Sequence, residues 1–424
     1  MNNSFLESNP LFRDIYCWLA GNEGNAAVCK IDGILPGYDL GTNWASFIGF
    51  FLTGFILMFI VVNGVMLGTA LYTWAFRRLM ARFQNRIGPN RWGPFGLLQP
   101  IVDLIKMLGK ENITPRVADK VLFSIAPIIL LGSVLLIMVV VPFGKNTFIA
   151  DLNIGVLFIV AIGGFETIGI FLAGWSSGNR FALFGAVRAV AMLLSYEIPL
   201  VISLVGVVLI AGSMSLVDIA ESQKNIIFVL VQPIGFFVVV LSASAEMNRT
   251  PFDIVEAESE LVAGFHTEYT GMKYGVIQAA EFAALLVYCA ILANMYFGGW
   301  SGFFLSDQLG ALWFLLKIVI FIFIFEWVRL SIPRLRIDQI MSFAWKFLFP
   351  LSLINLLITA VQVYIFNNVT TPGVITSQEL WIMAAINIVL AISLIPLFGF
   401  LVKDRIVKPY AKTTTQDLIL EKVG

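Results

Sequence analysis

Carboxylates are concentrated in one short segment of the chain, residues 245–273. Its ionisable side chains are Glu246, Arg249, Asp253, Glu256, Glu258, Glu260, His266, Glu268 and Lys273. In a helix, Glu256 and Glu260 are neighbours because they are four residues apart. Like charges this close raise one another's pKa values and titrate as a group. In a cavity, such a cluster would hold and release protons. The simpler alternative, which the pattern alone favours, is a solvated acidic loop.

Four further acids lie within apolar runs of the chain: Glu166, Glu197, Glu281 and Glu326. Lys317 lies in the same run as Glu326. Ionisable groups at membrane depth are costly, and they mark proton relays, ion paths or paired interior sites. Because four carboxylates lie in four separate apolar runs, the sequence favours a polar path for protons through the bundle over four unrelated buried acids.

The chain lacks the residues for redox chemistry of its own. It has three cysteines and one histidine, whereas an Fe–S cluster usually needs four cysteines and a bis-histidine haem needs two histidines. No glycine-rich nucleotide motif is present, and the net charge of zero suggests no nucleic-acid partner. Any electrons must therefore come from partner subunits. Cys17 and Cys29 fit either a disulfide or two free thiols.

The composition predicts a membrane protein. Of 424 residues, 59% are hydrophobic and only 13% are charged, about half the usual charged share of a soluble chain. Nine apolar runs approach the length of about 20 residues that spans a bilayer. They are 47–74, 121–142, 154–175, 186–211, 226–244, 274–297, 311–332, 347–367 and 380–402. We therefore predict an all-α, polytopic membrane helical bundle, with a polar N-terminal extension (1–45), one membrane domain (46–403) and a tail (404–424).

Lysine and arginine alternate between the two sides of this predicted bundle. Residues 77–120 contain nine of them, and the loops before the fourth, sixth and eighth spans and the tail hold most of the rest. The opposite side has only Arg13, Lys30, Lys145 and Lys224. Because basic loops stay in the cytoplasm, the N-terminus is expected outside and the C-terminus inside. The inside loops are then 77–120 and 245–273.

The first inside loop has a shaped backbone followed by an amphipathic run. Gly88-Pro89-Asn90 and Gly93-Pro94 interrupt any helix. After them, apolar residues recur at helical spacing: Leu97, Leu98, Ile101, Leu104, Ile105 and Leu108. A helix of this length is too short to span, so it is expected in the membrane interface or against a partner. The simpler alternative for the whole loop is a positive-inside anchor with an interfacial helix.

Four segments between residues 77 and 350 carry long, specific patterns. The first is Gln84-x-Arg86-x-Gly88-Pro89-Asn90-x-x-Gly93-Pro94 with Asp103, Lys106, Lys110 and Glu111, and the second is Ala173-Gly174-Trp175-Ser176-Ser177 with Arg188 and Tyr196-Glu197. The third is Ala245-Glu246-x-Asn248-Arg249-x-Pro251-Phe252-Asp253 with Glu256, Glu258, Glu260, Gly264 and His266-Thr267-Glu268-Tyr269. The fourth is Arg329-x-x-x-Pro333-Arg334-x-Arg336-x-Asp338-Gln339 with Trp345-Lys346. In this order they resemble the quinone-site membrane component of respiratory complex I (NADH-quinone oxidoreductase), which is the mitochondrial subunit-1 family.

The resemblance implies a function that the residues alone leave open. Members of that family form the quinone channel and chamber where the membrane arm meets the peripheral arm, and they couple quinone reduction to proton translocation. By implication the chamber and channel residues here are Arg86, Asp253, Glu256, Glu258, Glu260, Glu268, Arg329 and Arg334. The proton path would contain Glu197, Glu246 and Glu281, with Glu166 added because of its depth in a span.

The resemblance also implies the surroundings of the chain. Quinone would be a shared substrate, and Fe–S clusters and flavin would be carried only by partner subunits. Expected partners are the peripheral-arm quinone-site subunits, including the one with the terminal Fe–S cluster, the small and antiporter-like membrane subunits, and lipid. The expected location is the bacterial plasma (inner) membrane. No independent catalysis and no metal site are expected, and neither the electron donor nor the quinone type is predicted.

The chain departs from the family pattern in two places. Related chains usually carry Glu-Arg-Lys just before the first motif, whereas here the residues are Phe76-Arg77-Arg78. No proton role is therefore assigned at that position. Glu166 occupies a position that is uncharged in many relatives.

Three other functions stay open at this point. The nearest is the homologous component of a membrane-bound hydrogenase or formate hydrogenlyase, which couples without quinone. A stand-alone ion transporter would act as a single polypeptide. A purely structural anchor is disfavoured by the acids inside the spans.

Overall fold

The computed structural model describes residue 15 and residues 44–145, 147–254, 263–302, 306–367 and 377–406, and in these ranges the regular structure is helical. In chain order the helices are α1 (Trp44–Phe83), α2 (Gln99–Gly109), α3 (Lys120–Val140), α4 (Gly155–Ser176), α5 (Arg180–Ala211), α6 (Leu216–Ser222), α7 (Phe228–Val231), α8 (Pro233–Glu246), α9 (Gly271–Phe297), α10 (Ser306–Ser331), α11 (Ile337–Phe343), α12 (Phe349–Asn367) and α13 (Ser377–Ile406). The predictions for Cys17, Cys29, Glu256, Glu258 and Glu260 lie outside the described residues.

Among the described residues, eight helical segments are long and apolar enough to cross a membrane: α1, α3, α4, α5, α9, α10, the joined α11–α12 and α13. The prediction of a polytopic helical membrane bundle is confirmed. The amphipathic run after the first motif also forms a helix, α2, whose residues are not buried. Its place in the membrane interface stays a prediction.

The fifth predicted span, 226–244, differs from the prediction of one continuous helix. It is divided at Gln232 into α7 and α8, and Gln232 has the non-helical angles φ −130° and ψ 64°. Pro233 explains the break, because proline has no amide hydrogen and its ring collides with the preceding helical turn. The residue before a proline is also driven out of helical geometry.

Small residues allow close packing around α9, the central helix. Ala283, Ala284, Ala290 and Ala293 are buried in its contacts, and α9 packs against α1, α3 and α10. In a bilayer, helices associate mainly through such close backbone approach, because lipid tails are as apolar as the side chains. The position of α9 brings its polar residues into the interior of the bundle.

Lys317 in α10 ties that helix to the end of α9. Its Nζ donates hydrogen bonds to the carbonyl oxygens of Phe297 at 2.6 Å, Gly299 at 2.8 Å and Ser301 at 2.6 Å. The last carbonyls of a helix lack partners within the helix and carry partial negative charge. The ammonium group satisfies the Phe297 carbonyl at the end of α9 and the carbonyls of Gly299 and Ser301 just beyond it, so this half-buried lysine has a structural explanation.

We expect Lys317→Met to destabilise the protein by roughly 2–4 kcal/mol, because three hydrogen bonds to a charged donor are lost. The measurement is the melting temperature of the protein within the detergent-purified complex. Lys224→Met is the matched control, since Lys224 is exposed and pairs with Glu221 at 3.6 Å on the surface. Equal melting temperatures for the two variants would contradict the structural role.

Candidate functional site

Several of the connections between helices meet at one end of the bundle, here called the loop face. It consists of residues 84–119, 177–179, 247–254, 263–270 and 332–336. Hydrogen bonds join these connections: the amide of Asp119 to the Ser176 carbonyl (3.0 Å), the amide of Ile113 to Thr270 Oγ1 (3.1 Å), and the amide of Leu335 to the Pro251 carbonyl (3.1 Å). The loops that were predicted to lie inside therefore form one surface.

The loop before α2 owes its shape to glycine. Gly96 has a φ of +77°, in the left-handed region that favours glycine. A Cβ there would lie 2.4 Å from the carbonyl oxygen of Pro89. The same loop is held to α1 by Trp74, whose Nε1 donates to the Phe95 carbonyl at 3.1 Å, and by Arg78, whose guanidinium lies 5.2 Å from the Phe95 ring centre. This arrangement fixes where α2 begins.

A cleft of about 680 Å³ opens on the loop face between the end of α2 and the start of α9. Its walls include Met107, Lys110, Glu111, His266, Tyr269 and Tyr274. Clefts of roughly 300–1,000 Å³ that combine apolar walls with a few polar groups are typical of small-molecule sites. The cleft adjoins Ala263, the first described residue after the central part of the acidic segment.

Two close contacts position the inner wall of this cleft. The turn Gly264–His266 lies directly on α5, where a Cβ on Gly185 would come within 2.8 Å of the Gly264 backbone. The ring of Tyr269 stacks on Phe123 with centroids 4.0 Å apart and planes 5° apart. Burial raises the pKa of Tyr269 to about 12, so its hydroxyl remains protonated at neutral pH.

His266 lies in the same wall and is uncharged at neutral pH. Burial lowers the pKa of its imidazole to about 4, although the nearby Asp253 acts in the opposite direction. Its Nδ1 is buried and has no hydrogen-bond partner within the described ranges. His266 lines the cleft, so a molecule bound there would lie beside an uncharged imidazole.

The depressed pKa of His266 predicts a pH-dependent stability of the loop face. Between about pH 6.5 and pH 4 the unfolded chain binds a proton that the folded chain does not, so stability falls as pH falls. The effect of this one group is at most about 3 kcal/mol. Melting temperature against pH should be flatter in this window for His266→Gln, and an unchanged slope would contradict the assignment.

Asp253 and Arg334, two of the predicted chamber residues, form an ion pair. Arg334 Nη2 lies 3.1 Å from Asp253 Oδ2, and Asp253 is buried whereas the Arg334 side chain is 38% exposed. The other predicted residues are more scattered. Asn179 Nδ2 donates to Glu268 Oε1 at 2.7 Å, and Arg86 is exposed and donates to Gln84 Oε1 at 2.7 Å.

Arg329 belongs to a different, deeper group that we name the arginine cluster: Tyr72, Phe76, Arg249, Phe282, Glu326 and Arg329. The Tyr72 hydroxyl donates to Glu326, and Arg329 Nη1 lies 3.9 Å from the same carboxylate. Arg329 also lies over the ring of Phe76, 4.8 Å from its centre. Arg249 lies over Phe282 at 5.0 Å. Glu326 is only 1% exposed and is the one carboxylic acid among the six residues of this cluster.

Three of the predicted proton-path acids meet inside the bundle, in what we name the acid cluster: Glu166 of α4, Glu197 of α5 and Glu246 of α8, with Tyr288 of α9. Glu166 and Glu197 both act electrostatically on Glu246 and on Tyr288. A cavity of about 20 Å³ touches Glu197, Glu246 and Tyr288. That is room for about one water molecule.

Glu281, the fourth predicted path acid, is on α9 two turns before Tyr288 and on the same side of the helix. Its Oε1 is buried. Glu246 is the last residue of α8, so it lies where the acid cluster reaches the loop face. The acids thus extend from the loop face into the bundle.

The sequence did not indicate every residue of these groups. Glu326 was recognisable as an acid within a span, but nothing assigned it a partner. Tyr72 and Tyr288 resemble any other aromatic residue of a membrane helix in sequence. The sequence signal that would have identified Tyr72 and Tyr288 is a tyrosine on the same helical face as buried acids or arginines.

Residues 56–360 match the model of a family described as NADH dehydrogenase. The NADH-quinone oxidoreductase component designated H in Dehalococcoides mccartyi is 46% identical to this chain over 344 residues, which cover 81% of this chain and 94% of that protein. The proteins of the same name from Brevibacillus brevis and Geobacillus kaustophilus are each 45% identical. The alignments cover 73% and 75% of this chain and 93% and 95% of those proteins, respectively.

Proposed function

We propose, from the premise that this chain belongs to the NADH dehydrogenase family, that it is the quinone-site membrane subunit of a proton-pumping NADH-quinone oxidoreductase. In this proposal the loop face forms one wall of the quinone channel and chamber, and the acids behind it couple quinone reduction to proton translocation. The chain is part of an enzyme and has no electron carrier of its own. The observation that carries the quinone assignment is the cleft between α2 and α9.

The cleft suits a molecule with a polar head and an apolar tail. Ile105 and Leu108 of α2 are each 61% exposed, and Met107 at the end of the same helix lines the cleft. An amphipathic helix of this kind lies in the membrane interface. A quinone leaving the bilayer along α2 would meet Lys110, Glu111 and His266 with its carbonyl groups.

The reaction needs partners and protons. Reduction of a quinone to a quinol takes up two electrons and two protons. The electrons would come from a terminal Fe–S cluster on a peripheral-arm subunit, since this chain has too few cysteines for a cluster. Charge added at the quinone would change the proton affinity of carboxylates near it, and we propose that Glu256, Glu258 and Glu260, which follow Asp253 in the sequence, are the ones that respond.

Glu246 is the residue best placed to pass this change inward. It terminates α8 at the loop face, and it interacts with Glu166 and Glu197 in the acid cluster. The cavity beside it has room for about one water molecule, which would connect the carboxyl groups of Glu197 and Glu246 that line it. Protons or their charge would then pass to antiporter-like membrane subunits. The loop face would be cytoplasmic in a bacterial plasma membrane, as the basic loops indicate.

Photolabelling of the purified complex tests the quinone assignment. A photoreactive quinone analogue should label this protein at the end of α2 or the start of α9, near Met107 and Tyr274, and excess ubiquinone should suppress the labelling. Labelling that quinone does not suppress would contradict the proposal and favour the hydrogenase-type alternative. Mass spectrometry of the same preparation identifies the co-purifying subunits, whereas a chain that purifies alone and carries ion flux in liposomes would be a transporter.

A further inference from the structure

The break between α7 and α8 is surrounded by buried amide and hydroxyl groups. Gln232, at the break, is fully buried, and its Nε2 donates to Thr359 Oγ1 of α12 at 2.9 Å. In an unbroken helix, the carbonyl of Val231 would receive a hydrogen bond from the amide four residues later. Here it accepts one from Asn387 Nδ2 of α13 at 2.7 Å. Two other helices therefore supply polar partners to the interrupted backbone.

Three polar atoms at this break have no hydrogen-bond partner in the described part of the chain: Gln232 Oε1, Tyr296 OH and Asn355 Nδ2. The three residues are 0%, 0% and 4% exposed. All three atoms surround the same point beside Gly235. A Cβ built on Gly235 would lie 2.9 Å from Gln232 Oε1, 3.2 Å from Asn355 Nδ2 and 3.4 Å from Tyr296 OH. Because glycine has no side chain, position 235 leaves the backbone of α8 open on the side that faces these three atoms.

We propose that the helix break binds one ordered water molecule, held by Gln232, Tyr296 and Asn355. The amide oxygen accepts, the amide nitrogen donates and the tyrosine hydroxyl does either, which matches the hydrogen-bonding capacity of water. Buried waters typically make about three hydrogen bonds to groups that would otherwise be unsatisfied. A cation is a poorer match, because an amide nitrogen does not ligate it.

This site is separate from the acid cluster. The fourteen residues of α8 span about 20 Å, with the break at one end and Glu246 at the other. Irregular backbone at membrane depth occurs only where protein groups or water satisfy it. The water would complete that requirement, and the site stands independently of the proposed function. Asn387 and the rest of α13 lie beyond the range 56–360 that matches the family model. Some of the polar residues around the helix break therefore lie outside that range.

Electron cryo-microscopy of the intact purified complex, at a resolution that shows ordered waters, tests the site directly. Wild type should show one density peak within hydrogen-bonding distance of Gln232, Tyr296 and Asn355. Gly235→Ala should lose that peak, because its methyl group occupies the space beside the three atoms. Gly132→Ala is the matched control, since a Cβ there meets nothing within 4 Å, and it should retain the peak. A wild-type map without the peak, or a peak that persists in Gly235→Ala, would overturn the proposal.

A second variant keeps the test decisive if Gly235→Ala does not assemble. Removal of a buried hydroxyl that lacks any partner is neutral or stabilising, whereas removal of one bonded to water leaves that water short of a partner. Tyr296→Phe is therefore expected to lower the melting temperature of the protein in the complex. An unchanged or raised melting temperature would mean that the hydroxyl has no water to bind, and it would overturn the proposal.

Discussion

Glu246→Gln is expected to abolish proton pumping and to slow quinone reduction by roughly tenfold or more, equivalent to at least ~1.4 kcal/mol in the barrier. The glutamine keeps the shape and the hydrogen-bonding capacity of the side chain but cannot take up or release a proton. Glu246 lies at the end of α8 that reaches the loop face, and it interacts electrostatically with Glu166 and Glu197. Loss of its carboxyl group should therefore interrupt the proton path at the point where the fewest other acids could replace it.

The measurement compares NADH:quinone activity with proton uptake by proteoliposomes that contain the whole complex. Glu221→Gln is the control, because Glu221 pairs with Lys224 on the surface and belongs to no buried group. It should leave both activities unchanged. Normal pumping by Glu246→Gln, in a complex that assembles with all its subunits, would remove Glu246 from the path.

Glu326→Gln should destabilise the protein by about 2–3 kcal/mol. Removal of one member of a buried ion pair leaves the other charge uncompensated, which is strongly destabilising. Arg329 has its carboxylate neighbour only 3.9 Å away, and its side chain is 19% exposed, so water recovers part of the loss. The melting temperature of the protein in the purified complex measures the effect.

The same variant allows a rescue that a general packing defect would not show. Arg329 lies over the ring of Phe76, and the resemblance described above implies a glutamate at this position in related chains. A carboxylate introduced by Phe76→Glu would reach the same guanidinium from α1 instead of α10. We expect the double variant Phe76→Glu/Glu326→Gln to be more stable than Glu326→Gln alone. If it is less stable, the two positions do not share Arg329 as a partner.

The elements of the fold were predictable because membrane spans obey a length and composition rule that each segment satisfies alone. Eight of the nine predicted spans correspond to such helices. The break in the remaining one had a local signal, the pair Gln232-Pro233, but the apolar residues on both sides outweighed it in a prediction based on hydrophobicity. The amphipathic α2 followed from spacing for the same reason, since its pattern is local.

The grouping of the site residues was not predictable from the sequence. Tyr72 and Glu326 are 254 positions apart, and their contact depends on how α1 and α10 pack against α9. Glu166, Glu197 and Glu246 were each recognisable as costly charges, but their convergence depends on the relative rotation of three helices. The resemblance assigned both Asp253 and Arg334 to one chamber without indicating that they form a pair. The roles of Glu256, Glu258 and Glu260 stay predictions.

The hydrogen bonds across the loop face have a consequence for how that surface opens. The segment 84–119 bonds to 263–270 through Ile113 and to the end of α4 through Asp119, and 177–179 bonds to 263–270 through Asn179, so a segment that detaches removes partners from its neighbours. Proteins open locally in cooperative units defined by such shared contacts. The amides of Ile113 and Asp119 should then exchange with solvent deuterium as a single unit. A peripheral protein bound at one edge of this surface would slow exchange at both amides, including one that it does not touch.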